Sequence, residues 1–197
     1  MFVRDIMTRD PVTASPDQTV GEALRKMRKA NAGRIPIVAH GALVGIVTRN
    51  DVTRALGRPD SENIPLDVLM SRNPVTLASN ETLERAASIL LDNRVSGLPV
   101  VDGGRLVGIV TRSDLLLAFA KMLGFGNNGV RISMQFEALD VLEELSRRLR
   151  AWNVESLVTM HDPVTRTWSV VAKVRGRRGL LKFQPARARL PVRPSAQ

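Results

Sequence analysis

The chain has 197 residues, 44% of them apolar and 24% charged, with no cysteine and a formal net charge of +10. Those values argue against intrinsic disorder and exclude a disulfide framework, a thiolate zinc site and a cysteine nucleophile. The positive excess is uneven: residues 1–129 carry 16 Lys/Arg against 13 Asp/Glu, residues 130–174 carry 6 against 6, and residues 175–197 carry 7 against none.

The opening Met1-Phe2-Val3-Arg4-Asp5 has no apolar secretory core, and the greasiest run, Leu115 to Ala120, is far shorter than a membrane span. The expected compartment is the cytoplasm, with no membrane insertion. The first 123 residues divide into two halves at an offset of 63, because Leu43-Val44-Gly45-Ile46-Val47-Thr48-Arg49-Asn50-Asp51 returns as Leu106-Val107-Gly108-Ile109-Val110-Thr111-Arg112-Ser113-Asp114. Without a gap, 19 of the 53 pairs from Val3/Leu66 to Ala55/Ala118 are identical, where average composition gives about 3. The expected repeats are 1–60 and 61–123.

Each repeat reads as strand, helix, strand, strand, helix. In the first, Pro11-Val12-Thr13-Ala14 is a short extended segment. Thr19 to Ala32 is a helix with Val20, Ala23, Leu24 and Met27 on one face. Arg34 to Val38 and Leu43 to Val47 form a hairpin around His40-Gly41, and Thr48 opens a second helix to about Leu56. The second repeat has Leu83, Ala86, Ala87, Leu90 and Leu91 as its helix stripe, and strands Leu98 to Val101 and Leu106 to Val110 around Asp102-Gly103-Gly104. Two units that each leave one apolar sheet face uncovered must pack on one another.

A linker is expected at Gly124-Phe125-Gly126-Asn127-Asn128-Gly129. A βαββ module then covers 130–175: a strand from Val130 to Phe136, a helix from Asp140 to Trp152, and a hairpin of Val154 to Met160 with Thr167 to Val174. Residues 176–197 read as a basic, Pro-containing, disordered tail. Its cations, with Arg175 before it, are Arg177, Arg178, Lys182, Arg187, Arg189 and Arg193. They make nucleic acid the alternative partner, bound through phosphates without sequence preference.

The chemistry-bearing pattern is the Gly-x-x-Thr-x-x-Asp ending of each repeat. Thr48 with Asp51, and Thr111 with Asp114, have the spacing of a capping box at a helix N-terminus, which by itself accounts for both residue types. His40 and His161 stand alone, without a second ligand at metal-binding spacing. No nucleophile elbow or Walker-type loop is present. Catalysis, a metal and a cofactor are therefore not expected.

Taken together, in order and in register, the Met-Thr-x-x-Pro-Val-Thr and Met-Ser-x-x-Pro-Val-Thr openings, the run Leu98-Pro99-Val100-Val101-Asp102 and the Gly-x-x-Thr-x-x-Asp endings carry a resemblance to a tandem pair of cystathionine-β-synthase (CBS) domains. The resemblance implies an α+β fold with a pseudo-twofold pair of repeats that associates as a homodimer. It also implies regulatory binding of an adenosine ligand such as AMP, ADP, ATP or S-adenosylmethionine, with an unidentified regulated protein as partner. Asp51 and Asp114 would take ribose hydroxyls, and Thr48 and Thr111 would lie near phosphate, with Arg49 and Arg112 to neutralise it. Thr13 with Ile35 and Pro36, and Thr76 with Leu98 and Pro99, would line the purine slots. Arg34 stands where the second repeat has Gly97, so the two clefts are not equivalent. The βαββ module resembles the start of an ACT domain, a fold joined to CBS pairs in acetoin-utilisation-type proteins. It lacks the Pro-Gly that commonly opens the first ACT helix, having Glu137-Ala138-Leu139 instead, and a half-ACT sheet completed across a dimer is the expected form.

Overall fold

The computed structural model of the chain describes residues 1–57, 60–125, 129–136, 143, 146–147, 149–150 and 152–176. They fall into two compact units, Met1–Ala118 and the residues from Phe119 onwards.

In the first unit, α1 (Val20–Lys29) begins where Thr19 and Glu22 satisfy each other's backbone amides, at 3.4 and 2.8 Å. Its counterpart α4 (Leu83–Asp92) is capped by Thr82, which accepts from the Arg85 amide at 3.2 Å. Replacing Thr19 by alanine removes an N-cap acceptor and is expected to cost about 1 kcal/mol, read as a lowered urea midpoint at unchanged slope. The hairpins follow the β-branched runs. β2 (Arg34–Ala39) pairs with β3 (Ala42–Thr48), and β5 (Gly97–Asp102) with β6 (Arg105–Thr111), each with one register shift at the same place in its repeat. Helices α2 (Arg49–Ala55) and α5 (Arg112–Met122) leave directly from the second hairpin strands. At the far end of α5 the Gly124 amide bonds Lys121 O and the Phe125 amide bonds Ala120 O, with Gly124 at φ +79. That is a glycine-terminated helix end, within the Gly/Asn stretch expected as a linker.

The repeats are not self-contained. The opening segment of each crosses to the other: β1 (Thr8–Arg9) pairs with β6, and β4 (Ser71–Arg72) pairs with β3. Val3 is wholly buried among Leu83, Leu90, Leu98 and Val110 of the second repeat, while Leu66, on the short helix α3 (Leu66–Leu69), belongs to the core of the first. The crossing explains the glycine in each Gly-x-x-Thr motif. A Cβ on Gly108 would stand 2.6 Å from Met7 Sδ, and one on Gly45 would stand 2.5 Å from Met70 Sδ, so each methionine lies over the bare backbone of the opposite repeat. Pro11 to Ala14, expected as a strand, contributes a single parallel bridge, Ala14 to Ile37, and Leu77 does the same with Val100.

The second unit holds a three-stranded antiparallel sheet of β7 (Val130–Phe136), β8 (Trp152–Asp162) and β9 (Thr167–Gly176), in the order β7-β9-β8. Ile132, Leu149, Val170, Ala172 and Val174 form its core. Trp152, placed at the end of a helix by the sequence pattern, instead opens β8 opposite Gly176, where its aromatic ring suits a pleated surface. The helix expected from Asp140 lies largely outside the described residues. So does the tail: Arg177, Arg178, Lys182, Arg187, Arg189 and Arg193 are beyond them. Arg175 is described and forms an ion pair with Glu155 at 2.7 Å.

Candidate ligand clefts

The two Thr-Asp corners are built alike. Thr48 ends β3 in extended conformation, and its amide and hydroxyl both donate to Asp51 Oδ2, at 2.9 and 2.6 Å, while the Asp51 amide donates to Thr48 Oγ1 at 3.3 Å. Thr111 and Asp114 repeat the three bonds at 2.8, 2.7 and 3.3 Å. The capping box is therefore real in both halves. It also uses only one oxygen of each carboxylate: Oδ1 of Asp51 and of Asp114 receives no hydrogen bond among the described residues, and both side chains are half-buried. A carboxylate held rigidly by one oxygen with the other open can accept from a ligand hydroxyl without giving up its cap.

The residues expected to line the purine slots are placed differently from one another. Ile35 and Leu98 are fully buried, with their side chains packed in the two cores. Pro36 and Pro99 are buried as well, and their carbonyls already accept from the Ala14 and Leu77 amides at 3.1 and 3.3 Å. Proline has no amide hydrogen, so each offers only the second lone pair of its carbonyl as a polar group. Thr13 and Thr76, by contrast, line open cavities of about 700 and 300 Å³ between the hairpin-turn ends of the two repeats. These cavities are counterparts at the 63-residue offset, with Pro11, Thr13 and Val38 in the larger matched by Pro74, Thr76 and Val101 in the smaller. The larger also takes in Asp10 and Arg105, which the sequence did not single out, and His40, which it read as an isolated turn residue. The available signal was turn chemistry: Asp10 and His40 both adopt positive φ, 44 and 50, a region in which Asp and His are enriched among non-glycine residues.

The arginines break the symmetry. Arg49 is exposed, and its Nη2 donates to Ala32 O at 2.9 Å, tying the guanidinium back to the loop before β2. Arg34 starts in β2 opposite Thr48 but crosses to the second repeat, where its Nη2 donates to Ser96 Oγ at 2.7 Å. Its guanidinium lies over Gly97, in the space a Cβ there would fill. Burial, and then repulsion from Arg112, hold the Arg34 guanidinium below its ordinary pKa, with Asp114 pulling the other way.

A family profile described as CBS domain matches residues 3–58 and again 66–121. The chain belongs to the CBS-domain family. The CBS domain-containing protein YhcV of Bacillus subtilis is 40% identical over 116 residues, which are 57% of this chain and 81% of YhcV. Among solved structures, the acetoin utilization protein AcuB from Vibrio cholerae superposes with a TM-score of 0.58 at 29% identity, covering 63% of this chain and 93% of that one. The CBS pair of protein MJ0100, in complex with 5′-methylthioadenosine and S-adenosyl-L-methionine, superposes with a TM-score of 0.57 at 35% identity, covering 61% and 97%. Among the described residues no three His, Asp or Glu side chains gather as metal ligands, and no helix is long and apolar enough to cross a membrane. His161 packs on Trp168 across β8 and β9, with ring centroids 4.9 Å apart.

Proposed function

We propose that this CBS pair is a non-catalytic regulatory sensor of an adenosine compound, AMP, ADP, ATP or S-adenosylmethionine. The observation that carries the reading is the open Oδ1 on each capped aspartate, found twice in a fold whose relative MJ0100 holds two adenosine compounds. Ribose hydroxyls donate to Asp51 or Asp114, and the Thr48 and Thr111 corners face the phosphate end. Each repeat is closed by the other's opening strand, so a ligand preferring one arrangement of the two halves shifts both together.

The signal passes to a regulated protein or a second copy of the chain. Leu116 and Leu117 on α5 are 71% and 48% exposed, and Leu91 on α4 is 70% exposed, which supports a helix-mediated homodimer. The strand order β7-β9-β8, with the last strand between the first two, supports the ACT-like reading of the second unit, since a split βαβ arrangement gives that order. Calorimetric titration of AMP, ADP, ATP and S-adenosylmethionine tests the sensor. Saturable binding is expected in the wild type, lost one cleft at a time in Asp51→Ala and Asp114→Ala. Absence of heat and of any thermal shift with all four compounds would refute it.

A further inference from the structure

The two clefts should carry different charge because Arg34 has no partner of its own kind. At the offset of 63 its counterpart is Gly97, and the two positions meet: the Arg34 guanidinium occupies the space in which any Gly97 side chain would have to begin. One arginine fits there and two do not. The cation supplied by the first repeat is thereby delivered to the second, where Ser96 Oγ holds it beside Gly97, the strand partner of Thr111, and the Ser96 carbonyl accepts from the Arg112 amide at 3.2 Å.

Two guanidiniums thus stand near one carboxylate, whose Oδ2 is already engaged by Thr111. Neither arginine forms an ion pair among the described residues. The Asp51 corner receives no second guanidinium, since Gly97 has no side chain to return and Arg49 is bonded to Ala32 O; the first repeat's other half-buried cation, Lys26, is bonded to Thr13 O and Gln18 Oε1. A half-buried Arg34 guanidinium held beside an exposed second one is costly, and a bound dianion relieves that cost through charge-assisted bonds.

We infer that Arg34 is a specificity-determining residue acting across the pair: with Arg112 it makes the Asp114 cleft the one that selects a phosphorylated adenosine, and leaves the Asp51 cleft to adenosine compounds without a phosphate. The inference rests on the adenosine reading above and goes beyond it by assigning phosphate to one cleft.

The probes are AMP and 5′-methylthioadenosine, which share purine and ribose and differ in the phosphate. Each is titrated calorimetrically into the full chain as wild type, Arg34→Gln, Arg34→Lys and Gly97→Ala, and each of these is repeated in Asp51→Ala and Asp114→Ala backgrounds. In the Asp51→Ala background, Arg34→Gln is expected to weaken AMP by about tenfold or more, the worth of one charge-assisted bond, with 5′-methylthioadenosine changed by less than about twofold. Arg34→Lys should recover most of the AMP affinity. Gly97→Ala, which displaces the guanidinium without deleting it, should weaken AMP in the same direction.

Equal weakening of both compounds by Arg34→Gln would mean that Arg34 only holds the cleft together, and would overturn the inference. An unchanged AMP affinity would overturn it too, as would an Arg34 effect that survives Asp114→Ala. A wild type that binds neither compound would instead sink the adenosine reading, and this inference with it; the two failures are told apart by the wild-type titrations.

Discussion

Val3→Asp is expected to cost more than about 4 kcal/mol, and the damage to appear in the repeat to which Val3 does not belong by sequence. A carboxylate there would sit among Leu83, Leu90 and Leu98 with no partner, one of the few changes that reach such a size. The local backbone adds to it, since the Val3 and Arg4 amides donate to Glu81 and Ser79 O, both at 2.9 Å. Urea unfolding gives the magnitude and amide hydrogen exchange the location. Protection should fall first in β5 and β6, and Leu66→Asp should produce the mirror image in β2 and β3. Loss of protection confined to β2 and β3 in the Val3 variant would show that the crossing of the opening segments is not what holds the second repeat.

Asp51→Asn and Asp114→Asn should separate the two tasks that one side chain performs at each corner. An asparagine keeps an oxygen for the threonine amide and hydroxyl, so folding stability should stay within about 1 kcal/mol, the loss being the carboxylate's interaction with the helix N-terminus. The same change replaces a charged acceptor by a neutral one. Ligand affinity at that cleft should therefore fall by about 10- to 100-fold, the worth of a hydrogen bond to a charged group. Alanine at these positions forfeits both, with about 1 kcal/mol more lost in stability than for asparagine. Thermal unfolding beside calorimetry resolves the two readouts. Asparagine variants that bind as well as the wild type would reduce the corner to a helix cap.

The parts of this chain that could be read before any coordinates were those set by local chemistry. The duplication, both hairpins, the capping threonines and the β7 strand are written in period, β-branching and N-cap spacing, and they lie where those signals put them. The crossing of β1 and β4 is not written anywhere locally. Thr8–Arg9 and Ser71–Arg72 are two residues each, too short to show a period, and Thr8 finds its partner Ile109 a hundred positions away. Ile35 and Leu98 illustrate a second limit. An aliphatic residue before proline looks the same whether it faces a core or a cleft, and only packing showed both to be core. The Arg34/Gly97 difference was visible as an asymmetry. That the two positions lie on top of one another is a property of the pairing of the repeats.

The crossing bears on how small such a molecule can be. A chain holding one repeat alone would present a bare Gly-x-x-Thr strand with an open edge, together with an opening segment whose methionine has nothing to cover. Both needs are met when two such chains trade their first residues reciprocally, the exchange by which domain-swapped dimers form. The minimal stable form is thus two repeats, whether joined or separate. Within one chain the two copies need not be identical, and here one has an arginine where the other has a glycine.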